Sequence, residues 1–295
     1  MSTQFTGKTV IISGGAGGIG LALAKEFGAN GMNVVIADID QVQLKAAEQS
    51  LSEDNVNVLA CHLDVTDFEQ WKKVVSATKE RFEKVHMLIN NAGVGGVPSK
   101  AEESNHDAWR WVIDVNLMGV VYGAQAAIPA LKEHGEGGWI VNVASMAGMS
   151  GTPYADSYCA TKAAVVSLSE SWGGELKPFG IQVSALCPAF VKTQIHQSHR
   201  NMQDRYKAGF KTFGATKDSS AALVGAAGLV ESGIAPELLA KRVVEALESG
   251  QRYIFTHPNW GAHVAKRSKM LDKAFTDASN SPLVGHLIDD DATSM

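Results

Sequence analysis

Tyr158 and Lys162 are the residues whose types and spacing most clearly suggest chemistry in this chain. Side chains at positions i and i+4 of a helix share one face, so the lysine ammonium can lie beside the phenol. A free tyrosine has a pKa of about 10 and is a poor base at neutral pH. A nearby cation favours the phenolate and lowers that pKa, so the pair predicts proton exchange with a substrate. Two exposed residues on one helix face are the alternative.

A glycine-rich segment near the N-terminus argues against that alternative. It follows a predicted strand and precedes a predicted helix, with Gly14, Gly18 and Gly20 as the spaced glycines. Glycines at such a turn let the backbone approach a pyrophosphate placed at the helix N-terminus. The segment therefore predicts a dinucleotide site.

Asp38 indicates which dinucleotide is preferred. It ends the second predicted strand, 24 residues after Gly14, where a carboxylate can accept hydrogen bonds from an adenosine ribose. The same carboxylate would repel a 2′-phosphate, and neither Gly17 nor Ile39 supplies a cation to neutralise one. We expect NAD rather than NADP, with a helix-capping aspartate as the alternative.

Short β-branched runs alternate with longer amphipathic stretches throughout the chain, which predicts an α/β fold with a parallel sheet. A long helix is expected over about 107–130, and Pro129 interrupts it late. Residues 193–232 do not follow this alternation and predict a functional loop or lid. No shift in composition marks a second domain, so 1–295 is predicted as one domain with a tail from about 257. The predicted strands are 8–12, 33–37, 56–61, 86–90, 138–143, 181–186 and 252–255.

The bulk composition narrows the class of protein. The chain has 295 residues, of which 45% are hydrophobic and 19% charged, as in a soluble protein with a substantial core. A net charge of -5 and a pI near 6.0 argue against a nucleic-acid or anionic-membrane partner. No apolar run approaches a membrane span, and the N-terminus lacks a secretory pattern. The three cysteines are dispersed and the nine histidines scattered, which predicts a reduced, cytoplasmic protein without a metal site.

These motifs together resemble the short-chain dehydrogenase/reductase family, over about Phe5 to Phe255. The resemblance implies a Rossmann-type, doubly wound parallel sheet of about seven strands flanked by helices. It also implies hydride transfer between a nicotinamide cofactor and a carbinol carbon. The matching pieces are Ser13-Gly14, Gly18-Ile19-Gly20, Asp64-Val65, Asn90-Asn91-Ala92-Gly93, Asn116, Ser145, Tyr158, Lys162 and Pro188 to Thr193.

The resemblance assigns roles to four catalytic residues. Tyr158 resembles the general acid/base, and Lys162 the residue that lowers the tyrosine pKa and holds the nicotinamide ribose. Ser145, 13 residues before the tyrosine, resembles the residue that orients the substrate oxygen. Asn116 resembles the residue that holds a proton-relaying water; a packing or kink role is the alternative.

The resemblance also assigns cofactor contacts. Asp64 and Val65 resemble the adenine contact, Asn91 the residue whose backbone lies along the adenosine, and Thr193 the hydroxyl that binds the carboxamide. Where the family usually has Pro-Gly after the sixth strand, this chain has Pro188-Ala189, which is expected to shift the loop slightly. The remaining implied contacts are Ile19, Ala92, Gly93, Pro188 and Val191, with Tyr158 and Lys162.

The substrate is less clearly indicated. Apolar and aromatic residues could line its pocket or pack a lid on its own domain, and the sequence favours neither. The tail segment His257-Pro258-Asn259 resembles bacterial members that act on aryl alcohols, including lignin-type Cα-dehydrogenases. A bulky aromatic or alicyclic secondary alcohol, oxidised to its ketone, is the resulting hypothesis. The residues concerned are Met146, Met149, Tyr154, Ile195, His196, Tyr206, Phe210 and Phe213.

A homo-oligomer, dimer or tetramer, is implied by the resemblance. Small residues that would permit close contact between the long helices are Ala124, Ala126, Ala127, Ala163 and Gly173, although core packing explains them equally. Three other functions remain open at this point: an NADP-dependent carbonyl reductase of the same fold, an NAD-sensing regulator without turnover, and a structural scaffold.

Overall fold

A computed structural model describes residues 4–210, 225 and 227–289. The chain divides into two compact units, Met1–Thr256 and His257–Met295, and each is described by itself. Whether the two constitute one domain, as predicted, stays a prediction. Phe213 and the rest of 211–224 within the predicted lid lie outside the described residues.

The first unit contains a sheet of seven strands, and every pairing between them is parallel. Their order is β3-β2-β1-β4-β5-β6-β7. This confirms the predicted fold class. The central strands are buried on both faces, as their nearly continuous apolar sequences require. The strands are β1 Thr9–Ser13, β2 Asn33–Asp38, β3 Val58–His62, β4 Met87–Asn90, β5 Gly138–Val143, β6 Ile181–Cys187 and β7 Tyr253–Phe255.

Helices cover both faces of the sheet. Alternate residues of β1 show the two layers, because Val10 and Ile12 join one core cluster and Ile11 joins the other. The first cluster includes residues of α1, α2 and α9, and the second includes residues of α3, α4 and α5. The helices are α1 Gly18–Ala29, α2 Gln41–Glu53, α3 Phe68–Phe82, α4 His106–Ile113, α5 Gly119–Glu133, α6 Met146–Met149, α7 Asp156–Glu175, α8 Asp204–Phe210 and α9 Pro236–Glu248.

The long helix expected over 107–130 is three consecutive segments. A π-helical segment, Asp114–Met118, joins α4 to α5, and Pro129 lies inside α5. By length and composition His106–Glu133 could span a membrane, but 50% of its most apolar window is buried inside the protein. A core helix of a soluble protein has the same properties, and that is how this helix packs here.

The small residues proposed for helix contact between subunits divide into two sets. Ala124 and Ala127 are buried within the subunit, where α5 packs against α3 and β4, so they serve the core. Ala163 on α7 is exposed, and Ala126 and Gly173 are partly exposed. Only the latter set is available to a second subunit.

The carboxyl ends of the strands meet at one edge of the sheet, which we call the carboxyl edge. The strand order reverses direction between β1 and β4, since β2 and β3 lie on one side and β5 to β7 on the other. Ligands of such sheets bind outside this edge, near the point of reversal. The opposite edge, where the strands begin, is called the amino edge below.

The second unit consists of a helix, α10 Gly261–Ser279, between two short 3₁₀ segments, Pro258–Trp260 and Gly285–Asp289. The helix has no buried residue, and Met270 and Phe275 are exposed on it.

Candidate active site

The glycine-rich turn between β1 and α1 is packed too tightly for side chains. A Cβ atom on Gly20 would lie 2.0 Å from the Gly14 carbonyl oxygen, and one on Gly14 would lie 2.9 Å from the Cα of Ala92. Gly14 also has a φ of +62°, which disfavours other residues. The predicted Gly14 and Gly20 are therefore required by the local packing, and they leave backbone N–H groups at the start of α1 for an anion.

Asn91 and Ser13 join the glycine turn to the end of β4. The Asn91 side-chain amide donates to the carbonyl oxygens of Ser13 and Gly14, each at 2.9 Å. The Ser13 hydroxyl accepts from the backbone N–H groups of Asn91 at 3.0 Å and Ala92 at 3.1 Å. The role seen for the Asn91 side chain is thus to hold the turn in place, and the predicted contact of its backbone with adenosine stays a prediction.

Asp38 ends β2 beside this turn. Its carboxylate accepts from the backbone N–H of Ala16 at 3.1 Å and of Asp40 at 3.0 Å. Burial raises the pKa of Asp38, and these backbone hydrogen bonds act in the opposite direction. The helix cap that the sequence left open for Asp38 belongs instead to Asp40, whose side chain accepts from Gln43 N–H at the start of α2. A glycine-rich turn followed by a fixed carboxylate fits the pyrophosphate and ribose of a dinucleotide.

Asp64 follows β3, the strand next to β2, and its carboxylate contacts the lid segment. Asp64 Oδ1 accepts from the Thr66 hydroxyl at 2.7 Å and from Gln203 Nε2 at 2.9 Å. Arg205 Nη2 lies 3.6 Å from Asp64 Oδ2 and also donates to the Thr66 hydroxyl. The carbonyl of Val65 accepts from the Trp71 indole, which fixes this turn to α3. The predicted adenine site at Asp64 is therefore bordered by Gln203, which lies 139 positions later in the sequence.

Tyr158 and Lys162 lie on one face of α7, as predicted. The Lys162 ammonium is 5.6 Å from the centroid of the Tyr158 ring and donates to the Val143 carbonyl at 2.7 Å. Burial lowers the pKa of Lys162 to about 8. Burial raises the pKa of Tyr158, and a hydrogen bond with Ser145 opposes that rise.

The predicted lowering of the Tyr158 pKa by Lys162 is therefore not the dominant effect in this structure. Burial removes water that would solvate a phenolate, and this is the largest influence on the pKa of Tyr158. The ammonium is directed at the Val143 carbonyl rather than at the phenol oxygen. The group that acts in the predicted direction is Ser145.

Ser145 begins α6, a helix of four residues that follows β5 directly. Its hydroxyl accepts from Ala147 N–H at 3.1 Å and approaches the Pro188 carbonyl at 3.4 Å. The same carbonyl accepts from Met146 N–H at 2.9 Å. Pro188 thus fixes the serine turn, and the alanine that follows it leaves this contact in place.

Asn116 lies in the π-helical segment and is fully buried. Its amide donates to the Val94 carbonyl at 2.9 Å, and its Oδ1 accepts from Val94 N–H at 2.8 Å. A Cβ atom on Gly93 would lie 3.4 Å from Asn116 Oδ1 and 3.5 Å from the Lys162 ammonium. Asn116 therefore adjoins Lys162 and anchors the loop after β4, while its predicted water-holding role stays a prediction.

The chain after β6 returns across the glycine turn. Val191 forms a parallel bridge with Ile234. Thr193 lies over the start of α1, since a Cβ atom on Gly18 would be 3.1 Å from its methyl carbon. Thr193 is thus adjacent to the turn that Gly18 and Ile19 form, as its predicted cofactor contact requires. The contact itself stays a prediction.

The residues predicted to line a substrate pocket separate in the structure. Tyr206 is buried in the core cluster beside α4 and donates to Asp114 Oδ2 at 2.6 Å, so it anchors the lid. Met146 is buried behind Ser145, whereas Tyr154 is exposed and has a φ of +65°. Such a backbone conformation is strained for an aromatic residue and often marks a functional loop. Met149, Ile195 and His196 are partly buried.

A cluster at the amino edge resembles a metal site by composition. Ligand atoms of His86, His134 and Glu136 lie within 4.8 Å of one another. Each imidazole nitrogen already has a partner, however: His86 Nδ1 accepts from Thr9 N–H, and His134 Nδ1 accepts from Glu136 N–H. The Nε2 atoms must then carry the protons, and they face Glu136 and the Val85 carbonyl. The cluster is satisfied by hydrogen bonds, and a metal would have to displace them.

Sequence reasoning missed Gln203 and Arg205, and it included Ser13 in the glycine-rich motif without giving its side chain a role. Gln203 and Arg205 lie in a polar stretch with no motif. Only their contacts with Asp64 and Thr66 identify them.

Comparisons with known proteins agree with this geometry. The family model described as short chain dehydrogenase matches residues 8–204. A CLA biosynthesis dehydrogenase/reductase of Lactiplantibacillus plantarum is 31% identical over 273 residues, which are 91% of this chain and 94% of that protein. A C alpha-dehydrogenase of Sphingobium sp. is 31% identical over 256 residues, 86% of this chain and 82% of that protein. Similarity to a Cα-dehydrogenase was expected from the tail segment.

A solved structure has the same fold. The short chain dehydrogenase/reductase of Burkholderia phymatum, in complex with NAD, superposes with a TM-score of 0.88 at 34% sequence identity. The match covers 92% of this chain and 97% of that one.

Proposed function

Because the chain belongs to the short-chain dehydrogenase family, we propose that it is an NAD-dependent oxidoreductase that interconverts a secondary alcohol and a ketone. The observation that supports this proposal most directly is the placement of Tyr158, Ser145 and Lys162 at the carboxyl edge, next to the glycine turn. These residues can move a proton and orient an oxygen, and a bound nicotinamide would accept or donate the hydride.

Tyr158 is the proposed general acid/base. In the oxidative direction its phenol oxygen takes the proton of the alcohol, and in the reductive direction it returns one. Its raised pKa means that the neutral phenol predominates at physiological pH, which suits a proton donor. Ser145 shares a hydrogen bond with the phenol and is positioned to hold the substrate oxygen beside it.

Lys162 stabilises the geometry of this site through its contact with the protein backbone. Its ammonium is buried, donates to the Val143 carbonyl at the end of β5, and lies near the backbone of Gly93. With a pKa of about 8 it is mostly charged at neutral pH. That charge favours the phenolate when the proton leaves, and the ammonium is the proposed partner of the nicotinamide ribose.

Preference for NAD over NADP is proposed from Asp38. Its carboxylate is fixed by two backbone N–H groups and stands where an adenosine ribose would present its hydroxyls. A 2′-phosphate there would meet a negative charge. An NADP-dependent reductase of the same fold is the competing proposal.

The proposed substrate is a secondary alcohol next to an aromatic or alicyclic ring. Support comes from the similarity to a C alpha-dehydrogenase and from apolar residues that adjoin Ser145, namely Met146 and Met149. Tyr154, held at a positive φ and exposed, offers an aromatic face nearby. Assays with aryl carbinols, steroids and sugar alcohols would test this class, and turnover of sugar alcohols alone would contradict it.

The central test replaces the proposed general acid/base. Tyr158→Phe removes only the hydroxyl, so NADH production with any accepted alcohol should fall by about 10²- to 10⁴-fold, while NAD binding measured by calorimetry stays unchanged. Tyr122→Phe is the matched control, because it makes the same change on α5, where the ring packs against Phe68. Retained activity in Tyr158→Phe would contradict the assigned role. NAD binding without turnover of any substrate would favour the sensing regulator.

We also propose a homo-oligomeric assembly and a cytoplasmic location. A homo-oligomer through α5 and α7 is consistent with the exposed small residue Ala163, and light scattering that shows only a monomer would contradict it. A cytoplasmic location is likewise a proposal that rests on the sequence.

A further inference from the structure

A side-chain oxygen in the described part of the lid, at the carboxyl edge, is buried without a hydrogen-bond partner. Gln203 donates through Nε2 to Asp64 Oδ1 at 2.9 Å, but Gln203 Oε1 is shielded from solvent and has no hydrogen-bond partner among the described residues. The orientation of the amide follows from chemistry, because a carboxylate can only accept. A buried carbonyl oxygen without a donor is unfavourable, so its position indicates a donor that arrives with a ligand.

Gln203 borders a cleft at the adenosine end of the site. The cleft has a volume of about 480 Å³ and lies between Ile39 and Asp40, which follow β2, and Met202 and Gln203 of the lid. Strands β2 and β3 are neighbours, with Asp38 paired to His62. The carboxylates that follow the two strands, Asp38 and Asp64, therefore occur side by side at this edge.

Three further contacts fix Gln203 in this position. Arg205 contacts both Thr66 and Asp64, and Tyr206 donates to Asp114 at 2.6 Å. Met202 is buried in the same core cluster as Tyr206. The segment on either side of Gln203 is thus attached to α4 and to the turn after β3, and the amide does not depend on a freely moving loop.

We propose that Gln203 is a specificity-determining residue that recognises the 6-amino group of adenine through Oε1, while Asp64 holds its amide in place. This inference rests on the proposed function, since it requires an adenine dinucleotide in the site. An exocyclic amine is a two-proton donor and can satisfy both an amide oxygen and a carboxylate. The amide oxygen of glutamine is a suitable acceptor for the 6-amino group of adenine.

The test compares two dinucleotides that differ only at this amino group. NAD and nicotinamide hypoxanthine dinucleotide, which has an oxygen in place of the amine, are titrated into the full chain by calorimetry without substrate. The wild-type protein should prefer NAD, and Gln203→Leu should reduce this preference by about fivefold to tenfold, the equivalent of one buried hydrogen bond. Affinity for the hypoxanthine dinucleotide should change by less than about twofold.

A matched control and a folding check accompany the test. Gln194→Leu makes the same substitution at an exposed position of the same segment and should leave the preference unchanged. Circular dichroism of each variant establishes that the fold is retained.

The outcomes distinguish this inference from the proposed function. If Gln203→Leu weakens both dinucleotides equally, or neither, the residue does not read the amino group and the inference is wrong, while the proposed function stands. If the wild-type protein binds neither dinucleotide, both fail.

Discussion

Two clusters of polar side chains lie at opposite edges of the same sheet, and they differ in how many of their buried polar atoms have hydrogen-bond partners. At the amino edge, each imidazole nitrogen of His86 and His134 has a partner within the protein. At the carboxyl edge, Gln203 Oε1 and His196 Nδ1 are buried without one among the described residues. Composition alone would rank the first cluster, two histidines and a glutamate, as the functional site.

Polar pairing, rather than the kinds of residue present, separates the two clusters. A cluster that satisfies itself is stable without a ligand, and a ligand must break its hydrogen bonds to enter. Groups left unsatisfied gain a partner when a ligand binds, so they favour binding. The three predictions that follow test this contrast, and their expected effects decrease in order.

Lys162→Met should have the largest effect, because it removes a buried charge from the carboxyl edge. Its folded pKa, about 8, is below the unfolded value of 10.5, so the unfolded chain binds the proton more readily between these values. The wild-type protein should therefore gain stability relative to the variant as pH rises from 7.5 to 9.5, by roughly 2 kcal/mol. Urea unfolding at both pH values measures this. The exposed Lys45→Met is the control, and parallel pH curves for wild type and Lys162→Met would contradict the prediction.

Asp38→Ala should have an intermediate effect on cofactor choice. Loss of the carboxylate removes hydrogen bonds to the ribose and the repulsion of a 2′-phosphate, so NAD affinity should fall about tenfold while NADP affinity rises. Calorimetry with both cofactors measures the ratio. Asp54→Ala, which removes an exposed carboxylate at the other end of α2, should leave the ratio unchanged. Equal weakening of both cofactors would show that Asp38 only supports the turn.

Glu136→Gln should have the smallest effect, because the amino-edge cluster is not part of the site. Lys84 and His86 hold the pKa of Glu136 at about 2, yet the glutamate is largely exposed and such pairs contribute little. Turnover and NAD affinity should be unchanged, and the melting temperature should shift by no more than about 3 °C. Zinc and chelators should alter neither protein. A metal-dependent rise in the melting temperature of the wild type alone would contradict this assignment.

The parts predictable from sequence are those set by local chemistry. Alternating apolar runs fixed the seven strands to within about two residues, because a parallel sheet buried on both faces demands them. Gly14 and Gly20 could be assigned because only glycine fits their turn. The helical spacing of Tyr158 and Lys162 alone predicts that the two side chains share one face.

The parts that sequence could not predict depend on contacts between distant residues. Gln203 donates to Asp64 because the lid returns to the carboxyl edge of the sheet, and no local sequence pattern predicts this contact. The direction of the Tyr158 pKa depends on burial, which the spacing of two residues does not reveal. The sequence offered a packing or kink role for Asn116, but it could not show that the residue lies in a π-helical segment and pairs with Val94 in the loop after β4.

The strand order has a consequence for how the chain folds. Strand β1 is synthesised early, and on one side it pairs with β4, with Ile11 and Leu88 as register partners. Two strands, β2 and β3, and three helices, α1 to α3, are synthesised before β4. Sheets of this kind fold slowly, because long segments of chain must close into loops before the contacts between the central strands can stabilise the sheet. Until β4 emerges from the ribosome, β1 has an unpaired apolar edge that chaperones would recognise.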